Sequence, residues 1–419
     1  MLSDSISVSY HQKYRKAVRS LLNYKTRHDG LIDSTLRCSY VTTADVEASQ
    51  AKFFEVVANV MMTPGNTHFS FEQIACLGLS NLCQPLVETR RLAFHLLEYL
   101  HSQTNGVTSL GPFESAVGSL AASVYLPAQR RISQILAAEH SAMSGPVLNE
   151  CSLRIPQVYD DSTSSQLAVH PHVLRFLEPW ISNIHLVNQS NSEIAWEGQR
   201  ALYNLLSLTI RYGDLYPDQI QAIWERLATQ PSSRNDTLTV KFLIEQASKR
   251  GNPTFITAAR RVIACLSRTS TGRLMFRELC SLIEPESMLP MQERTPSLPN
   301  LHDAGFIAEL ELVFTPPNEV RERQALGTGQ LALLFMGDIA LERAWEIGVQ
   351  LPILLHTIFV HLDHQSPYVQ AQAKNLLFQT LRSLTPGLED SPVMLLLPTR
   401  PQVKATIDAL SKDSRVLLW

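Results

Sequence analysis

The sequence predicts an all-α protein, built as a HEAT/armadillo-like solenoid of stacked helix pairs. Three observations predict it. Apolar residues recur at helical spacing in segment after segment, as at Phe53, Val56, Val57 and Val60, which puts each set on one helix face that must be buried against a neighbour. Alternating strand-type runs are short and rare, and no Gly-containing hairpin signal separates such runs. Several segments also place an Ala four residues before an aliphatic: Ala93 and Leu97, Ala201 and Leu205, Ala259 and Ile263, Ala373 and Leu377. A small residue lets paired helices approach while the aliphatic fills the space between repeats.

Along the chain, residues 1–49 are polar and weakly periodic, and form a poorly defined N-terminal segment. Residues 50–150 read as helical repeats, with Pro64-Gly65, Gly111-Pro112 and Gly145-Pro146 at the breaks. The polar stretch Asp160–Ser165 interrupts the pattern. Helical repeats resume over 168–284, where Ile220, Ile223, Trp224 and Leu227 form a stripe and Pro217 and Pro253 sit where helices should start. Residues 285–304 hold Pro285, Pro290, Pro296 and Pro299 and read as a loop or linker. Repeats return over 305–384, with Leu354, Leu355, Ile358, Phe359 and Leu362 on one stripe. Residues 385–419 carry four further prolines and read as irregular.

Composition excludes several classes. Lys plus Arg number 36 against 39 Asp plus Glu. That balance argues against nucleic acid as a partner. The longest apolar run, Leu331–Met336, is far below the roughly 20 residues of a membrane span. The first residues lack the apolar core of a signal peptide. The six cysteines form no CxxC pair and read as reduced, mostly buried thiols of a cytoplasmic protein. The sequons at Asn188 and Asn235 then read as chance matches.

Catalytic motifs are missing. No Gly is followed by Lys, so there is no phosphate-binding loop, and Gly327-Thr328-Gly329 reads as a helix start. There is no G-x-S-x-G and no H-E-x-x-H. His356, His361, Asp363 and His364 form the densest histidine cluster, and a helix end with solvent-facing imidazoles accounts for it. His95, Glu98 and His101 are three apart on one helix and span about 600° of rotation, so the three cannot converge on one ion. The expectation is therefore no enzyme, no cofactor and no metal.

Charge is locally uneven. From Lys241 to Glu278 there are eight basic residues against two acidic ones, whereas Asp303, Glu309, Glu311 and Glu319 follow without a cation between them. Most such runs are solvated helix faces. The sharper reading is a basic ridge for an acidic protein surface, with Arg260, Arg261, Arg268 and Arg273 as the candidate partner-binding residues.

The run Phe176-Leu177-Glu178-Pro179-Trp180-Ile181-Ser182-Asn183-Ile184 resembles the L-x-P-W-hydrophobic-x-N-I segment of the Furry family of cell-morphogenesis proteins. Tyr203-Asn204-Leu205-Leu206, Arg211-Tyr212-Gly213-Asp214, Lys241-Phe242-Leu243-Ile244 and Ala259-Arg260-Arg261-Val262 follow in that family's order. Upstream Tyr125–Gln129 and Asn149–Arg154, and downstream Gly329–Leu334 and Leu351–His356, are also similar. The likeness runs from about residue 50 to 385 and is nearest to the fungal Pag-type members. It implies a non-catalytic scaffold that works with NDR-type kinase and Mob co-activator in cell polarity, in the cytoplasm at sites of polarised growth. Family members are several times longer, so the chain reads as a fragment. The resemblance supplies no catalytic residues; Trp180 reads as a core anchor of a helix start and Gly213 as a helix end. Three competing readings are a structural spacer, a nuclear-transport-like armadillo adaptor, against which the five Trp without a fixed period count, and an enzyme with an unrecognised helical site, the last needing a pocket where His356, His361 and Asp363 converge.

Overall fold

The computed structural model describes residues 47–63, 69–154, 174–187, 195–229, 235–251, 253–269, 272–283, 326–342, 351–364 and 367–383, with Lys16 and Ser20. Among these residues every regular element is helical, and there is no strand. The chain divides into two compact units, Met1–Leu227 and Ala228–Trp419. The division falls inside the stretch 168–284. The segments 285–304 and 385–419, the stretch Asp160–Ser165 and nearly all of 1–49 lie outside the described residues.

The first unit contains α1 (Glu47–Met61), α2 (Phe71–Asn81), α3 (Val87–Gln103), α4 (Glu114–Val117), α5 (Ala122–Glu139), α6 (Ser144–Arg154), α7 (Glu178–Ile181), α8 (Trp196–Tyr212) and α9 (Pro217–Ala228), whose last residue falls past the division. Packing follows chain order. Helix α3 lies on α1 and α2, α4 on α3 and α5, α6 on α2, α7 on α5 and α6, and α8 on α6.

The apolar stripes explain the burial. Ile220, Ile223, Trp224 and Leu227 are each at most 1% exposed. In α1 the stripe sits one residue on from its expected start: Phe54 is buried with Val56, Val57 and Val60, and Phe53 is only half-buried. Ala93 and Leu97 are both fully buried, as are Ala259 and Ile263. Pro217, Pro253 and Pro367 each open a helix, where the missing N–H costs no hydrogen bond. Gly198 is required by close approach: a Cβ there would lie 2.5 Å from the Leu186 carbonyl oxygen.

The Pro-Trp segment is the keystone of the first unit. Trp180 is fully buried, and its indole N–H donates to the Ser133 hydroxyl at 3.0 Å. Ser133 in turn donates to the Phe176 carbonyl at 2.7 Å. Trp224 repeats the device, donating to Thr209 Oγ1 at 2.9 Å while Thr209 donates to the Leu205 carbonyl. Each indole thus keeps its polar edge satisfied inside an apolar core.

The second unit contains α10 (Asn235–Arg250), α11 (Pro253–Ser267), α12 (Gly272–Ser281), α13 (Thr328–Glu342), α14 (Leu351–Leu362) and α15 (Pro367–Ser383). Helices α10, α11 and α12 pack on one another and on α13, and α15 covers α13 and α14. Gly327 opens α13 as a helix-start turn, its N–H donating to Gln330 Oε1 at 2.9 Å. In α14 Leu354 and Ile358 are buried, whereas Phe359 is 60% exposed. Helix α10 ends at Gly251, whose φ of 60° suits the left-handed cap.

Candidate functional site

The basic residues between 241 and 278 fall on α10, α11 and α12 of the second unit. The fold separates them by role. Arg260 makes a two-pronged ion pair with Asp338 of α13, Nε to Oδ2 at 2.9 Å and Nη2 to Oδ1 at 2.7 Å. Both side chains are mostly buried, so this pair joins α11 to α13. Arg261 is half-buried, and Arg268, one residue past the end of α11, is exposed. Lys241 and Arg277 are exposed on the flanking helices, Lys241 lying 3.7 Å from Glu278. The Arg273 side chain lies outside the described residues.

A surface pocket of about 250 Å³ lies in the first unit, against the Pro-Trp segment. Arg130, Glu178, Pro179, Asn183 and Arg226 line it. Glu178 is buried and accepts from Arg130 Nη2 at 2.5 Å. Asn183 donates to the Ala137 carbonyl at 2.8 Å. The exposed Arg226 stands on the rim, so the pocket presents one cation beyond the Arg130–Glu178 pair.

The histidines sort differently from the sequence pattern. His95 turns outward and meets Glu98 at 3.3 Å. His101, on the same helix, is only 6% exposed and points toward the end of α5, where Glu139 and His140 stand. Its Nε2 lies 2.7 Å from the Thr108 carbonyl and 3.6 Å from Glu139 Oε2. Glu139 accepts from the backbone N–H of Val107 at 2.9 Å and of Thr108 at 2.8 Å. Periodicity along α3 could not reveal this cluster, because its partners lie 38 and 39 positions away. His361 Nδ1 bonds the Thr357 carbonyl at 2.7 Å, one turn back on its own helix, and Asp363 is exposed.

Cys76, Cys83, Cys151 and Cys265 are buried free thiols, and Cys280 is half-buried. Burial pushes the Cys83 thiol up to about 12 and the Cys280 thiol up to about 11, so neither is a ready nucleophile. Asn235 of the second sequon is 1% exposed. Among the described residues no helix is long and apolar enough to cross a membrane.

Such a molecule belongs to the class of all-α helical-repeat proteins. The family described as the cell morphogenesis central region matches residues 13–269 and 315–389, and the chain belongs to that family. It is similar to "Cell morphogenesis protein PAG1" of Saccharomyces cerevisiae, 21% identical over 361 residues, covering 86% of this chain and 15% of that protein. It is also similar to "Cell polarity protein mor2" of Schizosaccharomyces pombe, 24% identical over 376 residues, covering 88% of this chain and 16% of that protein. The chain thus spans about one sixth of the length of these relatives. Among solved structures, Kap121p bound to Nup53p aligns over 98% of this chain and 44% of its own, at 10% identity and a TM-score of 0.29. A likeness that small carries no argument.

Proposed function

We propose that this segment is a non-catalytic scaffold in cell polarity and morphogenesis, and that it holds protein partners on a basic face of its second unit. The observation that carries the reading is the exposure of Lys241, Arg268 and Arg277 on or beside three helices that pack together, α10 to α12, with half-buried Arg261 on α11, inside a chain of the cell-morphogenesis family. Arg260 supports that face by its pair with Asp338. A helical-repeat fold suits such work because each helix pair leans on the next and leaves an extended face for docking. Surface cations steer the encounter, and a few arginines at the contact supply much of the affinity.

The partner we propose is an NDR-type kinase with its Mob co-activator, which the Furry-family resemblance implies, at sites of polarised growth in the cytoplasm. The names of the two relatives, a morphogenesis and a polarity protein, support the cellular role. The test is co-precipitation of the 419-residue chain with a purified kinase–Mob complex. Wild type is expected to retain the complex, and Arg261→Glu with Arg268→Glu to lose most of it. No retention by the folded wild type removes the partner reading and leaves a structural spacer. Arg260→Glu is the wrong probe, because it breaks the link to α13 as well.

A further inference from the structure

The C-terminal ends of α3 and α5 meet at three donors that the scaffold reading does not use. One donor atom from each of His101, Glu139 and His140 lies within 4.8 Å of the other two. We propose that these residues form a site for a divalent transition-metal cation of the zinc class, which clips the 104–110 loop to the end of α5.

Four observations carry the proposal. The donor set is two imidazoles and one carboxylate, a combination that zinc accepts with a fourth position left for water. Consecutive helical residues diverge by about 100°, yet Glu139 and His140 converge. They can do so because His140 leaves the helix, with φ −120° and ψ 45°.

The third observation is orientation. His101 Nε2 donates to the Thr108 carbonyl, which leaves Nδ1 with the lone pair. That Nδ1 is buried and has no hydrogen-bond partner. A buried ring nitrogen without a partner is costly, and a cation at that atom would relieve it; the ring nitrogen 3.6 Å from Glu139 Oε2 is the Thr108-bound Nε2. The pattern of one ring nitrogen on a backbone carbonyl and the other left to ligate is the usual outer-shell arrangement of metal-binding histidines. His140 repeats it: its Nε2 is 3.2 Å from Thr104 Oγ1, whose own proton goes to the Leu100 carbonyl at 2.9 Å.

The fourth observation is the capacity left on the carboxylate. Each Glu139 oxygen accepts one backbone N–H and keeps lone-pair capacity for a cation.

The backbone is shaped around the cluster. Asn105 takes φ 55°, and Gly106 N–H closes the helix end on the His101 carbonyl at 2.9 Å. A Cβ on Gly106 would lie 2.0–2.3 Å from the His101 ring, so only glycine lets the loop pass.

The test uses the 419-residue chain, stripped with chelator and titrated with zinc chloride by calorimetry, with cobalt(II) absorption as a second readout. Wild type is expected to take up one saturable zinc per chain, to give the visible bands of tetrahedral or five-coordinate cobalt, and to melt at a higher temperature with zinc. Glu139→Gln and His140→Gln should each lose that one equivalent, while His364→Gln keeps it. His101 is left intact because its burial makes substitution a folding test. Should a variant unfold, the wild-type stoichiometry and cobalt spectrum still decide the matter. Absence of saturable uptake by wild type, or uptake that both variants retain, overturns the proposal and leaves a hydrogen-bonded latch.

Discussion

Arg90 is the largest charged side chain in the core. It is fully buried, yet its guanidinium donates to the carbonyls of Gln84, Pro85, Val117 and Ser119 at 2.5–2.9 Å and lies 3.9 Å from the centre of the Tyr125 ring. The side chain therefore staples the start of α3 to the loop before α5. Arg90→Met would leave those carbonyls without their donor, and the expected loss is about 1–3 kcal/mol for each carbonyl that stays buried, read in a denaturant titration. Nothing in the sequence marks Arg90 apart from the neighbouring Arg91, because the four carbonyls come from backbone that has no residue signature. The same holds for His101, whose partners are set by where two helices end. At this scale pH is a second probe. Glu139 and His140 are held below their ordinary values, so the unfolded chain binds more protons and stability falls on acidification. The His140 share is complete above the ordinary 6.5 and is lost as pH drops through its lower folded value. The Glu139 share is complete above 4.5 and goes in the same way further down. Chelator-treated His140→Gln is expected to show a flatter stability–pH slope than wild type below neutrality.

Elements hold together through a few polar contacts set in apolar faces. Trp180 on α7 reaches Ser133 on α5, and Arg260 on α11 reaches Asp338 on α13. Trp180→Ala would empty a large volume in the first unit and is expected to cost about 3–5 kcal/mol by denaturant unfolding. Arg260→Ala would leave Asp338 largely buried without its cation, at about 1.5–3 kcal/mol. Arg268→Ala, on an exposed residue past the end of its helix, should stay within about 0.5 kcal/mol in the same assay. Helix positions were legible because each stripe repeats every 3.6 residues and prolines mark several starts. The side each stripe faces was less so. Phe53 and Phe54 are adjacent and equally apolar, and only packing against α3 selects Phe54. Phe359 fits the α14 stripe by spacing, yet the helix packs through Leu354 and Ile358 and leaves it outward. The ridge at 241–278 was legible as charge, but its division into a fold-holding Arg260 and surface-facing Arg268 was not. That division depends on Asp338, 78 positions on.

At the scale of the whole molecule, the described helices of each unit bury their apolar faces on one another, and in the second unit α13 takes α10, α11, α12 and α15. The chain belongs to the family described as the cell morphogenesis central region. The central claim is that the segment works by presenting charge to a protein partner. Electrostatic docking has a kinetic signature: the association rate falls with ionic strength and with loss of steering charge, while dissociation changes less. The direct measurement is the association rate of the chain with an immobilised kinase–Mob complex across a salt series, for wild type and for Arg261→Glu with Arg268→Glu. The account predicts a wild-type rate that drops steeply with salt and a variant that is slow at every salt concentration, both measured where the two chains are folded. Association that ignores both salt and the double reversal, or no association by folded wild type, would contradict it.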